Sequence, residues 1–337
     1  MPSEILPALN GISDSGPSIS SSISNNNNNN NNPFTSNHAS PSPFPPTTTT
    51  TATTTITTSS SSLEEICSIT HAQISQFLAT PASTELLHNV QKQTRASLDV
   101  ISEALRRYDL SSLSLSYNGG KDCLVLLILY LSAIYTHFCP QPQQSPPKTL
   151  QQQQRPPEQP VPFPLTLQST YIPPPSPFPT VTSFVQRTSQ TYHLSLSSTG
   201  PTSSSQMKNA FSTYLESHPQ IKGIFVGTRR TDPHGEKLTF FDETDHGWPR
   251  FMRIHPVIEW HYTEIWAFLR HLQIPYCSLY DLGYTSLGGT NDTHPNPALL
   301  LPSGKPGEGS NHVEHQPRYR PAYELIEDTE ERLGRES

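Results

Sequence analysis

The chain has 337 residues and a formal charge of −7, and its four cysteines (Cys67, Cys123, Cys139 and Cys277) form no C-x-x-C pair. An acidic chain lacks the basic face that grips a nucleic-acid backbone, and scattered thiols argue against a disulfide framework or structural zinc and suit a reducing cytoplasm. Any nucleotide it binds is expected to be small.

Residues 1–62 are dominated by Ser, Thr, Asn and Pro, with an unbroken Asn run at 25–32 and no Lys or Arg. Such a segment buries too little apolar surface to offset its chain entropy, so disorder is expected, and without basic residues it does not read as a targeting leader. Residues 63–108 carry apolar side chains at helical spacing, with Pro81 dividing two helices. Residues 113–117 alternate apolar and polar as a strand does, Asn118-Gly119-Gly120 is a turn, and 123–138 reads as a helix. The apolar run at 124–134 is broken by Tyr130 and Ser132 and is too short to span a bilayer, so no membrane association is expected.

A Pro- and Gln-rich excursion at 140–164 interrupts the pattern. Beyond it the expected order is strand 167–172, helix 181–192, short strand 193–196, helix 206–217, buried strand 221–226 and helix 263–272 with Thr263 as its cap. A second low-order loop covers 302–317, and 322–333 is expected to close the chain as a charged helix or turn. Strands alternating with helices predict an α/β fold with a mostly parallel sheet covered by helices on both faces. The domain expected from this is residues 63–337 with two flexible insertions, preceded by the disordered 1–62.

Ser116-Tyr-Asn-Gly-Gly-Lys-Asp122 lies where a strand gives way to a helix, at the carboxyl edge of a parallel sheet, where ligands bind. Two glycines let the backbone approach an anion, and the amides opening the helix point at it with the helix dipole behind them. No Walker pattern is present. A second block, Gly-Thr-Arg-Arg-Thr-Asp-Pro-His-Gly-Glu at 227–236, follows the buried strand and reaches the same edge with Arg229, Arg230 and Asp232. A third, at 245–260, sets Trp248 and Phe251 among Asp245, Arg250 and Arg253, a composition able to hold a flat ring.

The glycine loop is similar to the pyrophosphatase loop of the PAPS reductase-like, adenine nucleotide alpha hydrolase-like enzymes. The D-x-x-W-P-x-F-M-R block, L-Y-D-L-G-Y-T-S-L-G-G-T-N-D at 279–292, P-N-P at 295–297 and E-R-L-G-R at 331–335 resemble eukaryotic-type FAD synthases. The resemblance implies transfer of the adenylyl group of ATP to FMN, giving FAD and pyrophosphate, with Mg²⁺ held by Asp122 or Asp232. It implies that Ser116, Asn118, Gly119, Gly120, Lys121 and Asp122 surround the ATP phosphates and that Ile172 and Thr228 meet adenine or ribose. Arg229 and Arg230 join the ATP side, and Asp232 lies near the reacting phosphates. Asp245, His246, Gly247, Trp248, Arg253 and Ile254 face the flavin, and Arg332 and Arg335 approach the flavin and its phosphate. Partners implied are ATP, FMN, FAD and recipient flavoproteins. Pro173, Pro174, Pro175 and Ser176 stand where the family carries acidic residues, so no metal ligand is assigned there. Two rival readings are a PAPS reductase-like enzyme, which needs a cysteine after Cys277 that this chain lacks, and a catalytically silent interaction protein suggested by the low-complexity segments.

Overall fold

The structure is a computed structural model that describes residues 61–140, 162–203, 206–245, 247–302 and 317–336. The low-complexity start, most of the two expected excursions, and His246 lie outside the described residues.

Two capped helices open the fold. Ser62 Oγ accepts from the Glu65 amide at 3.2 Å and starts α1 (Leu63–Ala79), with Glu64 and Glu65 in the first turn, where negative charge suits the dipole. Thr84 does the same for α2 (Glu85–Arg107), which ends on Arg106 and Arg107. The next helix, α3 (Lys121–Phe138), is apolar all round, and every residue from 124 to 134 is buried. Its length and composition would suffice to cross a membrane, but α1, α2 and α6 (Tyr262–His271) pack against it. A helix buried on every side is a core element.

The strands are β1 (Leu113–Ser116), β2 (Leu167–Tyr171), β3 (Leu194–Ser198), β4 (Gly223–Phe225), β5 (Phe241–Glu243) and β6 (Met252–Ile254). They form one six-stranded sheet in the order β3-β2-β1-β4-β6-β5, parallel except for β5. Between β2 and β3 runs α4 (Pro179–Thr191), and between β3 and β4 runs α5 (Met207–Ser217). Strand alternation puts helices on both faces. In β4, Phe225 meets Tyr130 of α3 with ring centroids 4.7 Å apart, whereas its neighbour Ile224 joins a cluster with Phe211 and Tyr214 of α5.

Two local readings are corrected, and a third is narrowed. Thr263 is not the cap of α6: His261 is, its amide donating to the Glu264 carboxylate at 2.8 Å, so Thr263 lies inside the first turn. The 245–260 block, to which the sequence assigns no strand, contributes β6, with β5 formed just before it. The chain end, expected as a charged helix or turn, is turns: single 3-10 turns at Ala322–Glu324 and Asp328–Glu330, with backbone bonds such as Glu331 N to the Asp328 carbonyl at 3.2 Å.

The winding reverses once. From β1 the chain goes outward to β2 and β3, then returns to lay β4 on the other side of β1. The reversal falls between β1 and β4, and in an open α/β sheet the carboxyl ends of the strands at such a switch point border the ligand crevice.

Candidate active site

Both expected loops open onto that crevice. After β1, Asn118 Oδ1 accepts from the Gly120 amide at 2.9 Å, and Gly119 adopts φ +74°. A Cβ on Gly119 would come within 2.8 Å of Val185 Cγ2, so the position demands glycine for both conformation and space. After β4, Gly227 presses on the start of α3: a Cβ there would lie 3.0 Å from the Cys123 amide nitrogen. The two loops meet at the positive end of a long helix. Tyr280, from the L-Y-D-L-G-Y block, takes the Lys121 amide on its hydroxyl at 2.9 Å and fixes the helix start from the other side.

The charged side chains of these loops do not point at open space. Arg229 is fully buried, with Nε 2.9 Å from Asp122 Oδ1, Nη2 3.2 Å from Asp232, Nη1 3.6 Å from Asp328, and Nη2 also on Glu331. Lys121 is equally enclosed: Nζ lies 3.0 Å from Asp122 and 2.5 Å from Glu331, and 5.0 Å over the Tyr262 ring. Burial alone would push the Asp122 carboxyl up, but Arg229 and then Lys121 outweigh it and hold the group below the usual carboxylate range. Burial likewise opposes both cations, and the surrounding carboxylates win, raising the pKa of each. Two cations face four carboxylates, so the cluster keeps a formal excess of negative charge.

Lys121 and Arg229, expected beside the phosphates, are both engaged with protein carboxylates in this structure. Arg230 is also accounted for, since it pairs with the Glu259 carboxylate at the surface and donates from Nη1 to the backbone oxygens of Glu236 and Leu238 at 2.7 and 3.1 Å. Asp232 shapes its own turn, accepting from the Arg229 amide at 2.8 Å.

Beside the β4 loop is a cavity of about 250 Å³ whose lining includes Phe211, Thr228, Asp245, Trp248, Arg253 and His255. Phe211 stacks on Phe251 with centroids 5.4 Å apart and meets Trp248 at 6.1 Å, and Trp248 is 38% exposed. Gly247 turns the chain with φ +74°. His255 was not singled out by the sequence. It is buried, neither ring nitrogen has a hydrogen-bond partner, and burial, then Arg253, lowers its pKa to about 4 against a weaker pull from Asp242. Ile254, expected to face the flavin, is buried in the sheet beside Gly223, and its carbonyl accepts the Val226 amide at 2.8 Å. Ile172 sits at the end of β2 and packs on the Phe211–Tyr214 cluster.

The carboxyl-terminal E-R-L-G-R is tied in by its backbone as well as by Glu331. The Glu331 carbonyl accepts from Thr285 Oγ1 at 2.6 Å, and Asn296, from the P-N-P block, donates to the Glu330 carbonyl at 2.7 Å. Arg335 lies across Gly288, where a Cβ would fall 2.4 Å from its Cζ, and 3.6 Å from Asp292. The same loop reaches the segment after β2, since the Thr290 amide donates to the Ser176 carbonyl at 2.7 Å. Arg332 is exposed, and neither arginine lines the aromatic cavity. Among the described residues no three metal-ligating side chains converge as a preformed ion cage.

Residues 112–295 match the model of the phosphoadenosine phosphosulfate reductase domain family. A probable FAD synthase of Schizosaccharomyces pombe is 37% identical over 79% of this chain and 87% of its own length. The flavin adenine dinucleotide synthase of Saccharomyces cerevisiae is 32% identical over 81% of this chain and 98% of its own length. The crystal structure of Candida glabrata FMN adenylyltransferase in complex with FAD and inorganic pyrophosphate superposes with a TM-score of 0.70 at 30% identity, covering 81% of this chain and 99% of that one.

Proposed function

Since the chain belongs to the FAD synthase family, within the phosphoadenosine phosphosulfate reductase fold, we propose that it transfers the adenylyl group of ATP to FMN, releasing pyrophosphate and FAD. The observation that carries this reading is the adjacency of two sites on one sheet edge. A glycine loop sits at the start of α3, and an aromatic cavity opens beside the neighbouring β4 loop, with Thr228 one residue beyond the glycine that touches α3. One suits a triphosphate, the other a flat ring.

The chemistry asks for alignment and charge compensation more than for a covalent catalyst. The FMN phosphate is already anionic and attacks the α-phosphorus in line, with pyrophosphate leaving. Asn118, Gly119 and Gly120 present backbone to the phosphates at the positive end of α3, and Ser116 ends the strand that places them. Lys121 and Arg229 act as positioning residues, because their charges are already compensated by Asp122, Asp232, Asp328 and Glu331. Charge on the reacting phosphates falls instead to the loop amides, the metal, and the terminal Arg332 and Arg335.

Mg²⁺ fits as an ion that arrives with the triphosphate. Magnesium takes one or two protein carboxylates and fills its shell with phosphate oxygens and water, and here Asp232 and Asp122, 26% and 19% exposed, are the carboxylates at the crevice. When bound it would neutralise the triphosphate. Asp245, Gly247, Trp248 and Arg253 are assigned to the flavin, and Thr228 and Ile172 to the adenosine side. A cytoplasmic enzyme that passes FAD to recipient flavoproteins, with residues 63–337 as its catalytic domain, completes the proposal. Cys277 gives a PAPS reductase-like reaction no support, because it is buried and that burial raises its thiol pKa.

Purified protein incubated with FMN and Mg-ATP should yield FAD and pyrophosphate in equal amounts. Pyrophosphate release that does not depend on FMN, or no FAD at all, would remove this assignment.

A further inference from the structure

His255 is 1% exposed and lines the aromatic cavity, yet Nδ1 and Nε2 both lack a hydrogen-bond partner. A buried imidazole left without partners is costly, and native proteins rarely keep one without a use. Its surroundings do not supply that use. Asp242 Oδ2 is 4.0 Å from Nε2, and that carboxylate already accepts from the Thr239 amide and hydroxyl at 2.7 and 3.0 Å. Arg253 Nη2 donates to the Glu243 carbonyl at 3.2 Å, while its Nε is buried and unpartnered beside the same cavity. The cavity thus has aromatic walls (Phe211, Trp248, Phe251) and two polar groups held in reserve.

We propose that His255 is a specificity-determining residue that pairs with the dioxopyrimidine edge of the flavin ring when that ring enters the aromatic cavity. A neutral imidazole carries one donor and one acceptor, and the ring edge carries two carbonyls flanking one N–H, so either ring nitrogen finds a complement. Arg253 Nε–H suits a carbonyl of the same edge. Aromatic walls hold any flat ring, whereas a site built to hydrogen-bond an edge rejects an analogue that cannot return the bond. The inference rests on the FMN-adenylylating reading and adds to it the group that tells a flavin from other flat aromatics.

The test uses the full chain with Mg-ATP and two acceptors, FMN and its N3-methyl analogue, which loses the edge donor and crowds both carbonyls. Wild type is expected to prefer FMN in kcat/KM by about tenfold or more. His255→Leu should raise KM for FMN about tenfold with kcat within about threefold, and shrink the preference to below about threefold, while His255→Gln keeps most of it. Without ligand, His255→Leu should unfold at the same urea concentration as wild type or a higher one, because no protein partner is lost. Equal preferences in wild type and His255→Leu overturn the proposal while leaving FAD synthesis intact. So does a ligand-free His255→Leu protein that is less stable than wild type, which would make the imidazole structural. Absence of FAD formation by wild type removes the underlying reading and this inference together.

Discussion

The two polar regions on the carboxyl edge of the sheet differ in what surrounds their buried groups. At the start of α3, Lys121 and Arg229 are enclosed by Asp122, Asp232, Asp328 and Glu331 at ion-pair distance, while Arg229 Nε and Nη1 and Asp122 Oδ1 make no hydrogen bond. In the aromatic cavity, His255 and the Nε of Arg253 are buried without partners. Positive charge near a phosphate loop invites the inference that it binds phosphate, but cations enclosed by protein carboxylates also brace the fold. Groups kept in reserve mark where selectivity is expected.

Breaking the brace should have the largest effect. Glu331→Ala strips a buried partner from both Lys121 and Arg229 and is expected to cost about 3–5 kcal/mol of stability, read as a lower urea midpoint, with FAD formation lost as well. Glu331→Gln keeps the shape and should cost less. A Glu331→Ala protein as stable as wild type would show that the cluster holds nothing together. The contrast with His255→Leu, expected to be neutral without ligand, is the direct measure of the difference between the two regions.

The reserve carries its own pH signature. With a folded pKa near 4 against an ordinary value near 6.5, His255 takes up its proton more readily in the unfolded chain. Its contribution to stability is therefore complete above about pH 6.5 and is lost as pH falls toward 4. Between pH 7 and 5 this single group should lower stability by about 2 kcal/mol. Urea denaturation of wild type and His255→Gln at both values isolates it: if the pH dependence is the same in both, the imidazole is not the group that titrates.

Next in size come the terminal arginines. Replacing Arg335 by Ala should lower kcat/KM for FMN by about tenfold or more, with ATP affinity, measured by calorimetry, nearly unchanged. Arg332→Ala should act in the same direction without loss of stability, because Arg332 is exposed. Wild-type FMN kinetics in both variants would reduce E-R-L-G-R to a strap held by Glu331.

How far these regions could be read in the sequence follows from the range of the forces that form them. The glycine loop and α3 are local: an apolar run, two glycines and a strand before them suffice. The strands β5 and β6 have three residues each and exist through pairing with each other and with β4, so no short-range pattern announces them. Glu331 bonds to Lys121 and Arg229, 210 and 102 residues earlier in the chain, and only the fold reveals that the expected phosphate ligands are engaged. Ile254 is expected at the flavin only through the resemblance of its segment, and its burial within the sheet depends on β6 pairing with β4, which no local pattern shows. His255 had a weak signal available, a polar residue inside the apolar sequence Ile-His-Pro-Val-Ile, and its meaning depends on the cavity beside it.

The smallest effect is expected where an arginine beside the phosphate loop has the least to do with the ligand. Arg230 follows Arg229 in sequence but leaves the crevice: its guanidinium pairs with Glu259 at the surface and closes the 230–238 turn through the Glu236 and Leu238 carbonyls. The Glu259 hydrogen bond raises the Arg230 pKa, yet both partners are more than a third exposed, and exposed pairs contribute little once solvent screens them. Arg230→Ala should therefore leave KM for ATP and FMN within about twofold of wild type and leave the urea midpoint nearly unchanged. Steady-state kinetics with each substrate varied in turn would check it. A tenfold rise in KM for ATP would mean that Arg230 abandons Glu259 for the nucleotide, and the boundary drawn here between bracing and binding arginines would then have to include it on the binding side.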